Sequence, residues 1–210
     1  MKQSKLYLIL LVTFFLSNQA SLLAQSLPRL GIKAGPNLRT VILSGSDRDE
    51  DEQPGMIVGF QIGGVVEFQM GEQADLRTGL SILSKGTKIK YYGDYDIYSP
   101  VYLHVPVYLI FGGSEFRFGG GPYVSMAIGG KYKDNYGTNQ DLLIGSGEYD
   151  DWAQLDAGLG LSFNSDFGAI EAGLDVEYGV LNMIPKDQID GYDYHAQNLI
   201  FNLAATYYFE

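Results

Sequence analysis

Between Val101 and Gly130 the chain reads VYLHVPVYLIFGGSEFRFGGGPYVSMAIGG, two alternating runs on either side of Gly112, Gly113 and Ser114. Successive side chains of a strand point to opposite faces. Leu103, Val105, Val107, Leu109 and Phe111 therefore share one face, continued after the turn by Phe116, Phe118, Gly120, Pro122, Val124, Met126 and Ile128. The other face carries His104, Pro106, Tyr108 and Ile110, then Arg117, Gly119, Gly121, Tyr123 and Ser125. A Gly-rich turn between two such runs predicts a β-hairpin. Each arm exceeds the soluble norm of about 5–6 residues and reaches the roughly 9–11 residues of a tilted membrane strand.

The unit repeats. A first strand sets Leu30, Ile32, Ala34, Pro36 and Leu38 against Lys33, Asn37 and Arg39; a second sets Met56 to Phe68 against Gln61 and Glu67. A third opposes Leu76, Leu80 and Ile82 to Arg77, Ser81 and Lys85, and the hairpin above supplies the fourth and fifth. Leu155 to Phe163, Ile170 to Tyr178 and Leu199 to Phe209 complete eight, with Asp156, Glu171, Asp175 and Glu177 on their polar faces. Connections alternate between short turns and long polar segments around 44–53, 91–99, 131–150 and 183–194. That pattern predicts an all-β fold: one eight-stranded antiparallel up-and-down transmembrane β-barrel with short periplasmic turns, long extracellular loops and both termini periplasmic.

The N-terminus reads differently. Lys2 and Lys5 precede an apolar run from Leu6 to Leu16, and Ser21-Leu22-Leu23-Ala24-Gln25 offers a cut after Ala24. Residues 1–24 read as a cleavable signal peptide and 25–210 as the barrel domain, because the apolar run is too short to span a bilayer comfortably. Losing Lys2 and Lys5 takes the formal charge from -11 to -13, which argues against nucleic-acid binding. The absence of cysteine removes disulfides and a lipoprotein anchor from consideration.

Alternation does not say which face is outside, since a lipocalin-like barrel turns its apolar face inward. Three features put lipid outside. The apolar face carries no charge on any strand, the polar face is largely Gly, Ser, Thr and Asn, and aromatic residues gather at strand ends in two groups. The first group, near the long loops, includes Tyr98, Tyr132, Trp152 and Tyr194; the second, near the short turns, includes Phe111, Phe116 and Phe163. Two such belts suit membrane interfaces. A barrel of eight strands is filled by side chains. Lys33, Arg39, Arg77, Lys85 and Arg117 should then pair with Glu67, Asp156, Glu171, Asp175 and Glu177 as a structural plug in the lumen. An ion- or proton-conducting path is the alternative.

These residues resemble the PorT-like outer-membrane β-barrel proteins common in Bacteroidetes. The matching pieces are GIKAGPNL (Gly31 to Leu38), GFQIGGVVEF (Gly59 to Phe68), LSILSKG, YLHVPVYL, GGGPYVS, AGLGLSF, EYGVLN and the closing NLAATYYF. YLxVP followed by GGPY is the most specific part, because Pro106 and Pro122 are locally unfavourable inside paired strands. The resemblance implies an outer-membrane barrel, with some members linked to secretion or envelope assembly. Glu210 departs from the pattern, since such barrels usually end on an aromatic residue and Phe209 is penultimate here.

Catalytic signals are sparse. The two histidines are His104, mid-strand on the lumen side, and His195, where the last long loop meets the final strand. No G-x-S-x-G, HExxH or Walker sequence occurs. The acidic run Asp47 to Glu52 lacks the placed Gly and closing Glu of an EF-hand loop and reads as a solvated rim. The sequence therefore predicts no enzyme, no cofactor and no metal. It predicts a structural or binding barrel in contact with outer-membrane lipid, with Tyr192, Tyr194 and His195 as loop contacts for an envelope or secretion-machinery protein. An outer-membrane lipid-modifying hydrolase using His195, and a soluble exported binder of an apolar ligand, are the alternatives.

Overall fold

The computed structural model describes residues 27–71, 73–147, 149–185, 191 and 193–209. The expected signal peptide, Tyr192 and Glu210 lie outside the described residues. The strands are β1 (Arg29–Ser44), β2 (Gln53–Gly55), β3 (Ile57–Gln69), β4 (Ala74–Ser84), β5 (Thr87–Tyr91), β6 (Asp94–Gly112) and β7 (Phe116–Asp134). After them come β8 (Asn139–Asp141), β9 (Ile144–Gly145), β10 (Trp152–Ala153), β11 (Leu155–Asp166), β12 (Ile170–Gly179) and β13 (His195–Tyr208). Among the described residues there is no helix.

Eight of these strands are long, from the 10 residues of β12 to the 19 of β6 and β7. Each pairs antiparallel with its neighbours in the order β1, β3, β4, β6, β7, β11, β12, β13. The last then pairs with the first, from Gly31 opposite Tyr208 to Ser44 opposite His195. The sheet thus closes on itself and leaves no long edge strand unpaired.

Its faces are inverted relative to a soluble protein. Val58 is 70% exposed, Leu159 62% and Leu203 60%, whereas Glu67 retains 2% and Lys85 and Asn198 none. The apolar residues of all eight alternating runs point outward, and the polar ones are packed inside. Glycine on the inner face makes this possible, since a Cβ at Gly160 would strike the Tyr108 ring. Pro106 on the inner face is accommodated too: Thr78 Oγ1 donates to Pro106 O at 2.7 Å, where the β4–β6 ladder is interrupted.

Two segments read as loops are paired. Tyr91–Ser99 falls in a β5–β6 hairpin whose tip, Tyr92 and Gly93, has φ of 46° and 96°, as a type I′ turn requires. Within 131–150, β8 pairs with the end of β7. These ribbons are polar on both faces, so neither gives the apolar alternation by which the long strands are recognised.

Candidate functional site

The interior begins, at the short-turn end, with a knot of arginines and carboxylates. Glu67 and Arg77 face each other across β3 and β4, two residue pairs from the last pair of the ladder, Gln69 and Asp75. Arg77 Nε donates to Glu67 Oε2 at 2.8 Å, and its Nη2 donates to Glu171 Oε2 at 2.7 Å across the lumen. Arg117 lies 2.9 Å from Glu67 Oε1 and 3.3 Å from Glu171 Oε2, and also pairs with Asp75. Arg29 reaches Glu67 at 3.4 Å and covers the Tyr208 ring at 4.1 Å. Asn164 accepts from Arg77 Nη1 at 3.2 Å.

Mid-lumen, Lys33 pairs with Asp175, whose other oxygen accepts from Ser162 Oγ at 2.6 Å. Beside it Glu177 accepts from Tyr108 OH at 3.0 Å and lies 3.2 Å from His104 Nε2. The opposite ring nitrogen, His104 Nδ1, is 2.8 Å from Ser125 Oγ. Higher still, Lys85 Nζ donates to Asp156 Oδ2 at 2.7 Å, shared with Asn198 Nδ2 at 3.0 Å, and lies 4.2 Å from the centre of the Tyr123 ring. Buried charge is tolerated only when paired and hydrogen-bonded, and most of this interior meets that condition.

Eight of the ten sequence-predicted lumen charges thus form ion pairs among themselves: Lys33 with Asp175, Lys85 with Asp156, and Arg77 and Arg117 with Glu67 and Glu171. Arg39 and Glu177 are not brought together. Arg39 instead donates to the Lys85 carbonyl and to Ser99 Oγ at 3.2 Å. Sequence reasoning missed Arg29, Asp75, Tyr108, Tyr123 and Tyr208. Arg29 and Asp75 lie in phase with Lys33 and Arg77, so continuing the alternation to the strand ends would have found them. Tyr108 and Tyr123 were placed on the inner face without a role, which their hydroxyl bonds to Glu177 and Asp156 now supply, and Tyr208 OH donates to Glu67 at 3.3 Å.

Above the charges sits an apolar plug. Val41, Leu43, Tyr102, Ala127, Leu142, Trp152, Met183 and Ala196 are buried together, with Tyr98, Tyr132 and Tyr194 packed against them. Trp152 Nε1 donates to Tyr102 OH at 2.7 Å, and Tyr98 stacks on the indole at 5.7 Å. The sequence reading set Trp152, Tyr98, Tyr132 and Tyr194 in an interface belt. They turn inward because a ring with a polar tip can close the mouth of a polar lumen while satisfying its own donor. The phenylalanines at the other end stay outside: Phe116 is 72% exposed, and Phe111 and Phe118 meet at 6.5 Å on the outer face.

The loops beyond are stapled. Asp193 accepts from Ser46 N at 3.0 Å and Ser46 Oγ at 3.2 Å, and its own N–H donates to Asp47 Oδ2 at 2.6 Å. Tyr194 OH donates to Glu52 Oε2 at 2.5 Å. His195 is exposed, with Nε2 3.1 Å from Asp193 Oδ1. Ser46, Asp193 and His195 are therefore wired with the carboxylate in the middle. A Ser–His–acid triad needs the imidazole there, to take the serine proton. Among the described residues no three metal-ligating side chains converge.

A closed sheet with an uncharged apolar exterior and an ionic interior is the design of a protein that crosses a membrane with strands. The family model described as "Outer membrane protein beta-barrel domain" matches residues 23–184. The chain belongs to that family. This outer membrane barrel is similar to solved structures of low identity. They include Ail of Yersinia pestis in complex with the heparin analogue sucrose octasulfate (13% identity, 88% of this chain and 100% of that one, TM-score 0.48). Neisserial surface protein A (12%, 86% and 97%, 0.45) and OprG of Pseudomonas aeruginosa (10%, 87% and 96%, 0.41) are others. No curated protein matches the barrel. Its place is the outer membrane.

Proposed function

We propose that this protein is an eight-stranded transmembrane barrel of the PorT-like kind, closed to solutes, that works as a structural or binding element through its extracellular loops. In this reading residues 1–24 are removed on export, both termini are periplasmic, and Tyr192, Tyr194 and His195 are loop contacts for an envelope or secretion-machinery protein. No catalysis is assigned to it. The observation that carries the closed reading is Arg77, clamped between Glu67 and Glu171 from opposite walls of the lumen at 2.7 Å each. The cavity beside it measures about 20 Å³, room for about one water molecule, and the Trp152 cluster closes the far end. Planar-bilayer recording of the purified protein tests this. The expected trace is the lipid baseline; stepwise single-channel currents that scale with protein would overturn the plugged barrel and restore the conducting alternative.

A further inference from the structure

At one seam in the wall, between β3 and β4, the ladder stops short. β3 begins at Ile57, but its pairing with β4 begins only at Gln61 opposite Leu83. Over the missing stretch Ser84 Oγ accepts from Phe60 N at 2.9 Å, and Asn37 Nδ2 donates to Ser84 O at 3.0 Å. Arg39 threads this seam from the inside. Its Nε passes Gly59, where a Cβ would lie 3.0 Å from it, and its guanidinium reaches Ser99 Oγ, in phase with the outward Leu103 and Val105 of β6.

The seam opens sideways into a groove of about 630 Å³ lined by Arg39, Val58, Ile97, Val101, Lys131, Lys133 and Asp141 among others. Its level in the membrane is marked by β7. The outward row there runs Val124, Met126 and Ile128, then shifts at the bulge to Lys131 and Lys133. Apolar side chains giving way to lysine mark the boundary between hydrocarbon and headgroups.

The charge does not balance. Lys131 pairs with Asp141 at 2.6 Å, while Arg39 and Lys133 have no carboxylate partner among the described residues. Arg39 is 6% exposed and its Nε has no acceptor. A buried, uncompensated guanidinium is costly unless a countercharge arrives from outside. We propose that this groove binds one phosphate-bearing lipid, its phosphate against Arg39, Lys131 and Lys133 and its acyl chain over Val58, Ile97 and Val101. The lateral opening onto the apolar face favours a lipid over a free anion. The proposal rests on that face meeting lipid and not on the lumen being closed, so conductance and lipid binding fail independently.

Native mass spectrometry of the purified protein in detergent micelles tests it, with dioctanoyl phosphatidic acid, dioctanoyl phosphatidylcholine and inorganic phosphate as probes. One phosphatidic acid should be retained per chain, and Arg39→Gln should weaken it about fivefold, as should each lysine removed. Because Arg39→Gln could disturb the seam, the exposed pair Lys131→Gln/Lys133→Gln is measured beside it, with heat-dependent gel mobility as the check on folding. A folded double variant that binds like the parent, or equal retention of phosphatidylcholine, overturns the proposal. Displacement of the lipid by inorganic phosphate at comparable concentration overturns the lipid as occupant.

Discussion

Arg77 is the residue on which the interior turns, because it bridges two carboxylates across the lumen, with Arg117 as the second cation. Arg77→Met keeps its volume but leaves Glu67 and Glu171 short of a cation, and breaking such a buried pair should cost about 3–5 kcal/mol. Urea unfolding followed by gel mobility measures it; a loss under about 1 kcal/mol would show that Arg117 alone carries both carboxylates. At the loops, the Ser46 N–H, the Ser46 hydroxyl and His195 hold the Asp193 carboxyl below the usual range. A carboxyl depressed on folding stabilises above its unfolded value of about 3.9 and loses that contribution as pH falls through the lowered one. The protection of the amides of residues 45–47 from exchange, taken relative to the unstructured rate at each pH, should therefore fall on acidification below about pH 4. His195→Gln should leave partner capture intact while Tyr192→Ala impairs it, since tyrosine supplies contact area at low entropic cost. A lipid modification lost in cells carrying His195→Gln would reverse that assignment and favour the hydrolase.

At the scale of a strand, face decides tolerance. Val107 on β6 is outward and 43% exposed, whereas Ser125 on β7 is inward and 3% exposed. Val107→Arg places a charge in hydrocarbon and should cost about 2–4 kcal/mol at the midplane. Ser125→Ala removes one hydrogen bond to His104 and should cost about 1 kcal/mol. Equal costs in refolding into lipid vesicles would mean the faces are assigned wrongly. The polar ribbon of β5 and β6 behaves differently. Ile97 at its base lies opposite Lys133, where apolar side chains give way to lysine, so Ile97→Asp tests where the band ends. A cost as large as that of Val107→Arg would put the hydrocarbon boundary beyond Ile97 rather than at Ser99 and Lys131, a rise of about two residue pairs of roughly 3.3 Å each.

The whole molecule joins an apolar band, an ionic lumen and an aromatic plug, each of which requires the others. Hydrocarbon outside demands that every backbone group be paired, which only a closed sheet achieves with strands. Closing eight strands leaves a narrow lumen that side chains must fill, and the inward polar faces fill it with charges. The protein should fractionate with outer membranes, resist carbonate extraction and change gel mobility on boiling. Recovery in the soluble periplasmic fraction would sink the membrane reading and promote an apolar-ligand binder.

The alternation at Val101–Gly130 and its repeats determined the strand faces, because a period of two survives whatever surrounds it. It also brought the lumen charges to one side of the sheet, for the same reason. Partner choice lay beyond it: Arg77 meets Glu171 across 94 residues, a juxtaposition set by barrel closure and strand stagger, which no local pattern encodes. Trp152 turned inward rather than to the interface because the strands ending around it left a polar mouth to cover, and Arg39 went through the wall because β3 outruns its ladder with β4. Those two placements depend on where neighbouring strands stop. Only the tertiary structure decides that, since strand ends are fixed by pairing and not by side-chain alternation.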